Sequence, residues 1–202
     1  LPASVDDPVA EGHDPPPVAL SIGPGPSPQP LARAVLALAR QAFDGDGELV
    51  PQPALDVLVR RPPRLVGPDP LPAVTDGDFA AAIEAAVRRL DRSYLAVQGP
   101  PGTGKTWTGA RVVRALVEDG WKVGVVAQGH RTIEQLLDEA IGAGLDPERV
   151  VKRADRGGDH RGRKLGDRDL LAAVTGEGGL LVGGTSYDLV NDHRVPAGSL
   201  DL

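Results

Sequence analysis

One stretch constrains the fold more than any other: Gly99 to Thr106, which reads GPPGTGKT. It fits the pattern G-x-x-x-x-G-K-[ST] at every fixed position. The apolar run from Tyr94 to Gln98 predicts a short buried strand, and the apolar spacing from Trp107 to Glu118 predicts a helix. A strand, a glycine-rich turn and a helix in this order are the context in which the pattern binds the phosphates of a nucleotide.

The chemistry of phosphate binding explains these residue types. Such a loop directs successive backbone N–H groups inward, and the start of the helix adds the positive end of its dipole. Gly102 and Gly104 can take backbone conformations that strain other residues. Lys105 can reach the β- and γ-phosphates of ATP and the Thr106 hydroxyl can hold Mg²⁺, so these two are the candidate catalytic residues. The residues expected to bind the nucleotide are Gly99, Pro100, Pro101, Gly102, Thr103, Gly104, Lys105, Thr106 and Trp107.

The composition limits the classes of function. The chain has 202 residues, of which 41% are hydrophobic and only 3% aromatic, so we expect one domain with a mainly aliphatic core. It has no cysteine, and no apolar run approaches the roughly 20 residues that span a membrane, so we expect a cytoplasmic protein. The net charge of -6 argues against a generally basic nucleic-acid binder, but a local basic groove is compatible with it. Because the sequence begins at Leu1 and lacks methionine, we expect a piece of a longer protein.

The pattern along the chain predicts three parts. Residues 1–30 hold nine of the twenty prolines and four acids without a lysine or arginine, which is typical of an extended acidic linker. Residues 31–77 form a helical connector. Residues 78–202 form an incomplete α/β nucleotide-binding domain of the P-loop NTPase class, with a parallel sheet flanked by helices. The expected helices are 31–43, 53–59, 79–90 (capped by Asp78), 133–143, 170–174 and 187–190; the further expected strands are 121–127, 149–152 and 179–182, with a charged loop over 154–167. In the first helix Leu31, Val35, Leu36 and Leu38 can share an apolar face, and in the second Leu55 and Leu58 are expected to point inward.

Two basic segments leave their function open. Residues 60–64 read RRPPR, which is either a solvated loop or a contact to nucleic acid or phosphate. Residues 148–169 hold eight lysines and arginines and five acids. This second segment is either a solvated loop or a mobile contact to nucleic-acid phosphates.

Three motifs together resemble a known family. Residues 94–106 resemble motif I of superfamily 1 helicases, residues 123–137 their motif Ia and its helix, and residues 182–186 their motif Ic. The resemblance covers roughly residues 54–202. It is strongest to the branch that contains the nonsense-mediated-decay helicase. Within that branch, the bacterial proteins that fuse a RecB-like nuclease to a helicase are the most similar.

This resemblance implies a RecA-like motor lobe that binds single-stranded nucleic acid, with DNA favoured. It also implies a RecB-like nuclease domain before the chain and a second RecA-like lobe after it. The positions that match the family's strand-contacting residues are Gln128, His130, Thr185 and Ser186. Polar side chains at the carboxyl ends of parallel strands face the binding crevice in any such fold.

The chain departs from the family in two respects. The helix predicted over 79–90 has no Gln to match the family's adenine-reading residue, and no apolar run ends in the paired acids of a Walker B strand. Asp201 lacks the preceding apolar run and is not assigned that role. We therefore expect the chain itself to bind nucleotide weakly without turnover. Two alternatives stay open, namely an ATPase of the AAA+ class and a non-catalytic nucleotide-binding scaffold module.

Overall fold

The computed structural model describes residues 27–43, 45–67, 70–154, 158 and 160–202. Its strands are all parallel and form one sheet in the order β1-β4-β2-β3. The strands are β1 (Lys122–Val126), β2 (Val150–Arg153), β3 (Arg163–Leu165) and β4 (Leu180–Gly184). The helices in these ranges are α1 (Gln29–Arg40), α2 (Pro53–Leu58), α3 (Phe79–Val87), α4 (Lys105–Glu118), α5 (His130–Gly142), α6 (Asp167–Thr175) and α7 (Ser186–Leu189), with a 3₁₀ turn at Pro147–Arg149. The α/β class predicted from the sequence is confirmed.

Both faces of the sheet are covered by apolar side chains. On one face, α4 and α5 pack with α3 against β1, β4 and β2, and Val150 and Leu181 point into that layer. On the other face, α6 and the segment around Val195 pack against the neighbouring positions Val151 and Val182. Successive strand residues therefore point to opposite layers, as the pleat of a strand requires.

The connections between strands have a consistent hand. The chain passes from β1 over β4 to β2 with α5 on the first face, and it returns from β3 to β4 with α6 on the opposite face. Because the direction of travel and the face both reverse, the two crossovers have the same hand, as expected for the right-handed rule. The fully buried strand is β4, which lies between β1 and β2.

The helices before the sheet form where the sequence predicts them, but some of their apolar residues are exposed instead of buried. The α3 helix begins as expected, because the Asp78 side chain accepts a hydrogen bond from the Ala81 N–H at 2.9 Å. In α2, Leu55 is buried but Leu58 is 75% exposed, so the prediction that both point inward is wrong. Val35 and Leu36 of α1 are also exposed although an apolar face was predicted for them. Residues 1–26 of the predicted acidic linker lie outside the described part of the chain, and Gln29 and Pro30 belong to α1.

The strand predicted before the glycine-rich stretch does not form. Residues 94–98 have no regular secondary structure, and Val97 is about half exposed. The physical reason is the lack of a neighbour, since a strand is stabilised by pairing. The outer side of β1 carries residues 200–202 instead, where the Gly124 N–H donates to the Leu202 carbonyl at 2.7 Å.

The strand β1 lies at the end of the four-stranded order, and Val126 at its carboxyl end is 57% exposed. One further prediction about the strands needs correction. The stretch 154–167, predicted as a loop, contains β3, which pairs in parallel with β2 from Val151 opposite Arg163. The strand was not predicted because two of its three residues, Arg163 and Lys164, are charged. Among the described residues, no helix is both long and apolar enough to cross a membrane.

The packing of α5 on β4 predicts opposite effects for two glycine substitutions. A Cβ at Gly183 would lie 2.7 Å from side-chain atoms of both Ile133 and Leu137, which are fully buried and have no room to move. We expect Gly183→Ala to lower the free energy of unfolding by about 1–3 kcal/mol through overpacking. Gly109→Ala in α4 meets only Leu136, at 3.9 Å, and we expect it to raise that free energy by up to about 1 kcal/mol.

Urea unfolding of the two variants and the wild type measures both effects. A Gly183→Ala variant as stable as the Gly109→Ala variant would contradict the close approach of α5 to β4.

Candidate nucleotide-binding site

The backbone of the phosphate loop, which we define as Gly99 to Thr106, has the conformation that its glycines predict. Gly102 and Gly104 have positive φ values of 83° and 77°, which other residues rarely adopt. A Cβ at Gly99 would lie 2.6 Å from the Thr103 Oγ1, so a larger residue at this position would force the Thr103 side chain to move. The sequence therefore selects this loop shape before any ligand binds.

The start of α4 presents free donors of the kind that bind anions. Gly104 is the N-cap residue and makes no side-chain cap hydrogen bond. The Thr108 N–H donates to the Gly104 carbonyl at 2.8 Å, which is the first hydrogen bond of the helix. The backbone N–H groups of the three residues from 105 to 107 precede that bond, so they belong to the donors that a helix cannot satisfy internally. A helix start of this kind fits a phosphate group.

The side chain of Lys105 folds back over the phosphate loop. Its Nζ donates to the Gly99 carbonyl at 2.5 Å and to the Pro100 carbonyl at 2.8 Å. The Thr103 hydroxyl also donates to the Pro100 carbonyl, at 2.8 Å. The ammonium group is thus held at the loop by two neutral carbonyl oxygens, at the place where phosphate oxygens would compete for it.

The phosphate loop lies at the edge of the sheet where the strands end. The α5 helix begins at His130, directly after β1, and it runs beside α4 in the same direction. This direction follows from two contacts, in which Gly109 faces Leu136 and Arg114 donates to the Ala143 carbonyl at 2.8 Å. The starts of both helices therefore share one edge of the sheet, which we call the carboxyl edge.

The residues predicted to contact nucleic acid lie at the same edge. They follow two neighbouring strands: Gln128 and His130 come after β1, and Thr185 and Ser186 come after β4. The two strands pair in parallel with Val126 opposite Gly184, so the two polar segments start side by side. Gln128, His130 and Ser186 are exposed. The Thr185 hydroxyl, by contrast, donates to Asp188 at 2.8 Å and caps α7. The structure thus brings the four positions together, while their role stays a prediction.

Acidic groups near the sheet are used elsewhere. The Asp201 carboxylate accepts a hydrogen bond from the Lys122 N–H at 2.8 Å, which places it at the beginning of β1 and away from the carboxyl edge. Across the described ranges, no group of three or more histidine or acidic side chains is arranged to hold a metal ion. Thr106, which is partly buried at the start of α4, is the position that the motif offers to Mg²⁺.

The RRPPR segment has a structural role that sequence reasoning missed. Asp56 of α2 is almost fully buried and forms ion pairs with Arg64 and, at 3.5 Å, with Arg61. The Ser93 hydroxyl donates to the same carboxylate at 3.2 Å, and Arg64 also donates to the Arg92 carbonyl. These contacts fasten the connector to the chain just before residues 94–98. The acid eight residues before Arg64 was the sequence signal that could have indicated this pairing.

The second basic segment is also partly internal. Lys152 in β2 is only 1% exposed, and its Nζ lies 2.6 Å from the Glu134 Oε1 in α5. Arg153 pairs with Asp167 at 2.8 Å. Lys152 is therefore buried away from any nucleic-acid backbone, and the net charge of the segment overstates its free positive charge. Arg156, Asp155 and Asp159 of this segment lie outside the described residues.

His160 is a buried titratable group beside this ion pair. Its Nδ1 accepts a hydrogen bond from the Gly162 N–H at 3.1 Å, and its Nε2 is buried without a partner among the described atoms. The pKa of His160 is lowered, first because burial disfavours the charged imidazolium. Asp138 acts in the opposite direction, while Lys152 and Lys164 lower the pKa further and Glu134 raises it.

Comparisons with known proteins agree with the class of the fold. The AAA domain family matches residues 78–171. The protein "Regulator of nonsense transcripts 1 homolog" of Drosophila melanogaster is 35% identical over 101 residues, which are 49% of this chain and only 8% of that protein. No solved structure gives a significant match. Together with the parallel sheet, these matches support a P-loop, helicase-like domain of the kind that binds ATP.

The buried ion pair predicts a large difference between single and double substitutions. Glu134→Ala leaves the Lys152 ammonium buried without its carboxylate, so we expect a loss of about 3–5 kcal/mol in the free energy of unfolding. The double variant Glu134→Leu with Lys152→Met fills similar volume without charge, and we expect it to recover most of that loss. Urea unfolding measures both variants, and a double variant as unstable as the single one would contradict this account.

His160 predicts a loss of stability in mild acid. The unfolded histidine takes up a proton near pH 6.5, whereas the folded one stays neutral to lower pH because its pKa is lowered. The unfolded state then binds more protons, so stability is present above this pH and is lost as the pH falls toward the folded pKa. We expect His160→Gln to lose less stability than the wild type between about pH 7.5 and about pH 5.5.

Urea unfolding at the two pH values tests this effect, with the exposed His193→Gln as the matched control. Equal pH dependence in the His160 variant and the wild type would show that His160 titrates alike in both states.

Proposed function

We propose that this chain is the ATP-binding part of an ATP-dependent helicase or translocase that acts on single-stranded nucleic acid, with DNA favoured. One observation carries the proposal. The phosphate loop and two polar segments, 128–130 and 185–186, share the carboxyl edge of a parallel sheet. A motor needs this adjacency, because a change at the phosphates must be felt by groups that touch the strand.

The residues present fit the proposed cofactor. The backbone N–H groups at the start of α4 and the Lys105 ammonium would hold the phosphates. The Thr106 hydroxyl would supply an oxygen ligand for Mg²⁺. Magnesium-bound ATP supplies the phosphoanhydride bond whose cleavage drives translocation. Lys105 and Thr106 are therefore the proposed catalytic residues of this chain.

The chain by itself is proposed to bind nucleotide without turning it over. In-line attack by water on the γ-phosphate needs an acid to position the water, and motors of this kind add an arginine. Asp201 is engaged with the Lys122 N–H at the opposite end of β1. The resemblance to nuclease–helicase fusions suggests a second RecA-like lobe and a RecB-like nuclease domain as partners in one polypeptide, in the cytoplasm.

The strand preference needs a direct comparison. The name of the Drosophila relative refers to transcripts, so RNA has to be tested beside DNA. An ATPase of the AAA class is the second candidate, and the match of the AAA domain family to residues 78–171 favours it. Such an ATPase would turn over ATP without regard to any strand. A non-catalytic scaffold would bind ATP without turnover in any context.

The decisive experiment measures ATP binding by this chain and ATP hydrolysis by the complete open reading frame, with and without single-stranded DNA or RNA. We expect Lys105→Ala to weaken ATP binding about tenfold or more, because a charge-assisted hydrogen bond to phosphate is lost. We also expect it to abolish strand-stimulated hydrolysis. Lys164→Ala, another exposed lysine, is the matched control for ATP binding and should leave that binding unchanged.

Two outcomes would contradict the proposal. Turnover that no strand stimulates would shift the assignment to the AAA-type ATPase. ATP binding that is the same in the Lys105→Ala variant and in the wild type would remove the phosphate loop from the function.

A further inference from the structure

An arginine covers one face of an exposed tryptophan next to the phosphate loop. The guanidinium carbon of Arg111 lies 3.2 Å from the centre of the Trp107 ring, one helical turn away in α4. Arg111 also donates to the Trp107 carbonyl at 3.4 Å. The guanidinium is therefore held over the ring by two contacts, a cation–π interaction and a hydrogen bond.

The Trp107 ring remains accessible although one face is covered. The residue is 50% exposed even with Arg111 over one face of its ring. Trp121, the second tryptophan of the chain, is partly buried and packs against the core instead. Trp107 thus contributes little to the core, while a flat aromatic surface faces solvent in a chain that has few aromatic residues.

The position of this surface restricts what can stack on it. Trp107 directly follows Thr106, so its Cα lies about 3.8 Å from that of a residue of the phosphate loop. In a nucleotide, one sugar separates the phosphates from the base. A ligand whose phosphates are held by the loop therefore carries its base to the neighbourhood of Trp107. The bases of a single strand bound along segments 128–130 and 185–186 have no such tether to the phosphate loop.

We propose that Trp107, backed by Arg111, is the stacking surface for the base of the nucleotide whose phosphates bind the loop, and that it favours purines. This inference rests on the proposed function and assigns the base subsite of the same site. The Arg111 contact fixes the ring before binding, so less side-chain freedom is lost when a base stacks. Purines gain more than pyrimidines because their two fused rings cover more of the indole.

The test uses the full chain with Trp121→Phe, so that Trp107 is the one remaining tryptophan. The probes are ATP, GTP, CTP and UTP with Mg²⁺, and inorganic tripolyphosphate as a ligand without a base. We expect purine nucleotides to change the Trp107 fluorescence strongly, pyrimidine nucleotides weakly, and tripolyphosphate hardly at all. Equilibrium dialysis gives the affinities independently of the fluorescence.

Two substitutions at Trp107 separate stacking from folding. We expect Trp107→Ala to weaken ATP binding about tenfold, as base–aromatic stacking typically contributes, and to leave tripolyphosphate binding unchanged. Trp107→Phe should restore most of the ATP affinity. An unchanged melting temperature is expected for both, because the side chain is half exposed.

Three results would overturn the inference. The first is equal ATP affinity in Trp107→Ala and the wild type, and the second is an equal loss of ATP and tripolyphosphate binding. The third is a Trp107 fluorescence change with single-stranded DNA or RNA but not with any nucleotide, which would assign the ring to strand binding. If the affinities for ATP and tripolyphosphate are the same in the Lys105→Ala variant and in the wild type, the proposed function is overturned, and this inference with it.

Discussion

The close approach of α5 and α7 to β4 is the constraint on which the rest of the structure depends. The strand ends in two glycines, Gly183 and Gly184, whose missing side chains leave room for Ile133 of α5 and Leu189 of α7. With β4 fixed between the two layers, β1 and β2 can pair on its two sides. The parallel pairing then aligns the ends of β1 and β4. The carboxyl edge, with the polar segments beside the phosphate loop, is therefore a consequence of packing at the centre of the sheet.

The features of this fold that depend on neighbouring residues are better predicted from the sequence than the strands, which depend on a partner strand. The GPPGTGKT stretch predicts the left-handed glycines at 102 and 104, and Asp78 predicts the start of α3, because each depends on neighbouring residues alone. Residues 94–98 have the composition of a buried strand, but a strand forms only beside a partner, and composition does not show whether one is available. The reverse holds for β3, where Arg163 and Lys164 look like loop residues and the pairing with β2 makes them a strand.

The two basic segments show the same limit of prediction from sequence alone. Counting lysines and arginines suggested free positive surfaces at residues 60–64 and 148–169. In the fold, Arg64 is bound to the buried Asp56, and Lys152 is bound to Glu134. A buried cation without a partner is so costly that the partner has to be present, but its position in the sequence follows from the tertiary structure. The candidate site is better predicted than these pairs, because its motif is contiguous, whereas its neighbours across the carboxyl edge come from separate strands.

The contacts of Lys105 suggest how the phosphate loop responds to a ligand. The loop already has its left-handed glycines in place, so a phosphate does not have to reorganise the backbone. The ammonium must exchange the carbonyls of Gly99 and Pro100 for phosphate oxygens. The two carbonyls are neutral, whereas a phosphate oxygen carries negative charge and adds Coulomb attraction to the hydrogen bond, so the exchange favours the anion. Binding therefore moves one flexible side chain, and the two carbonyls that it releases become free to bind water.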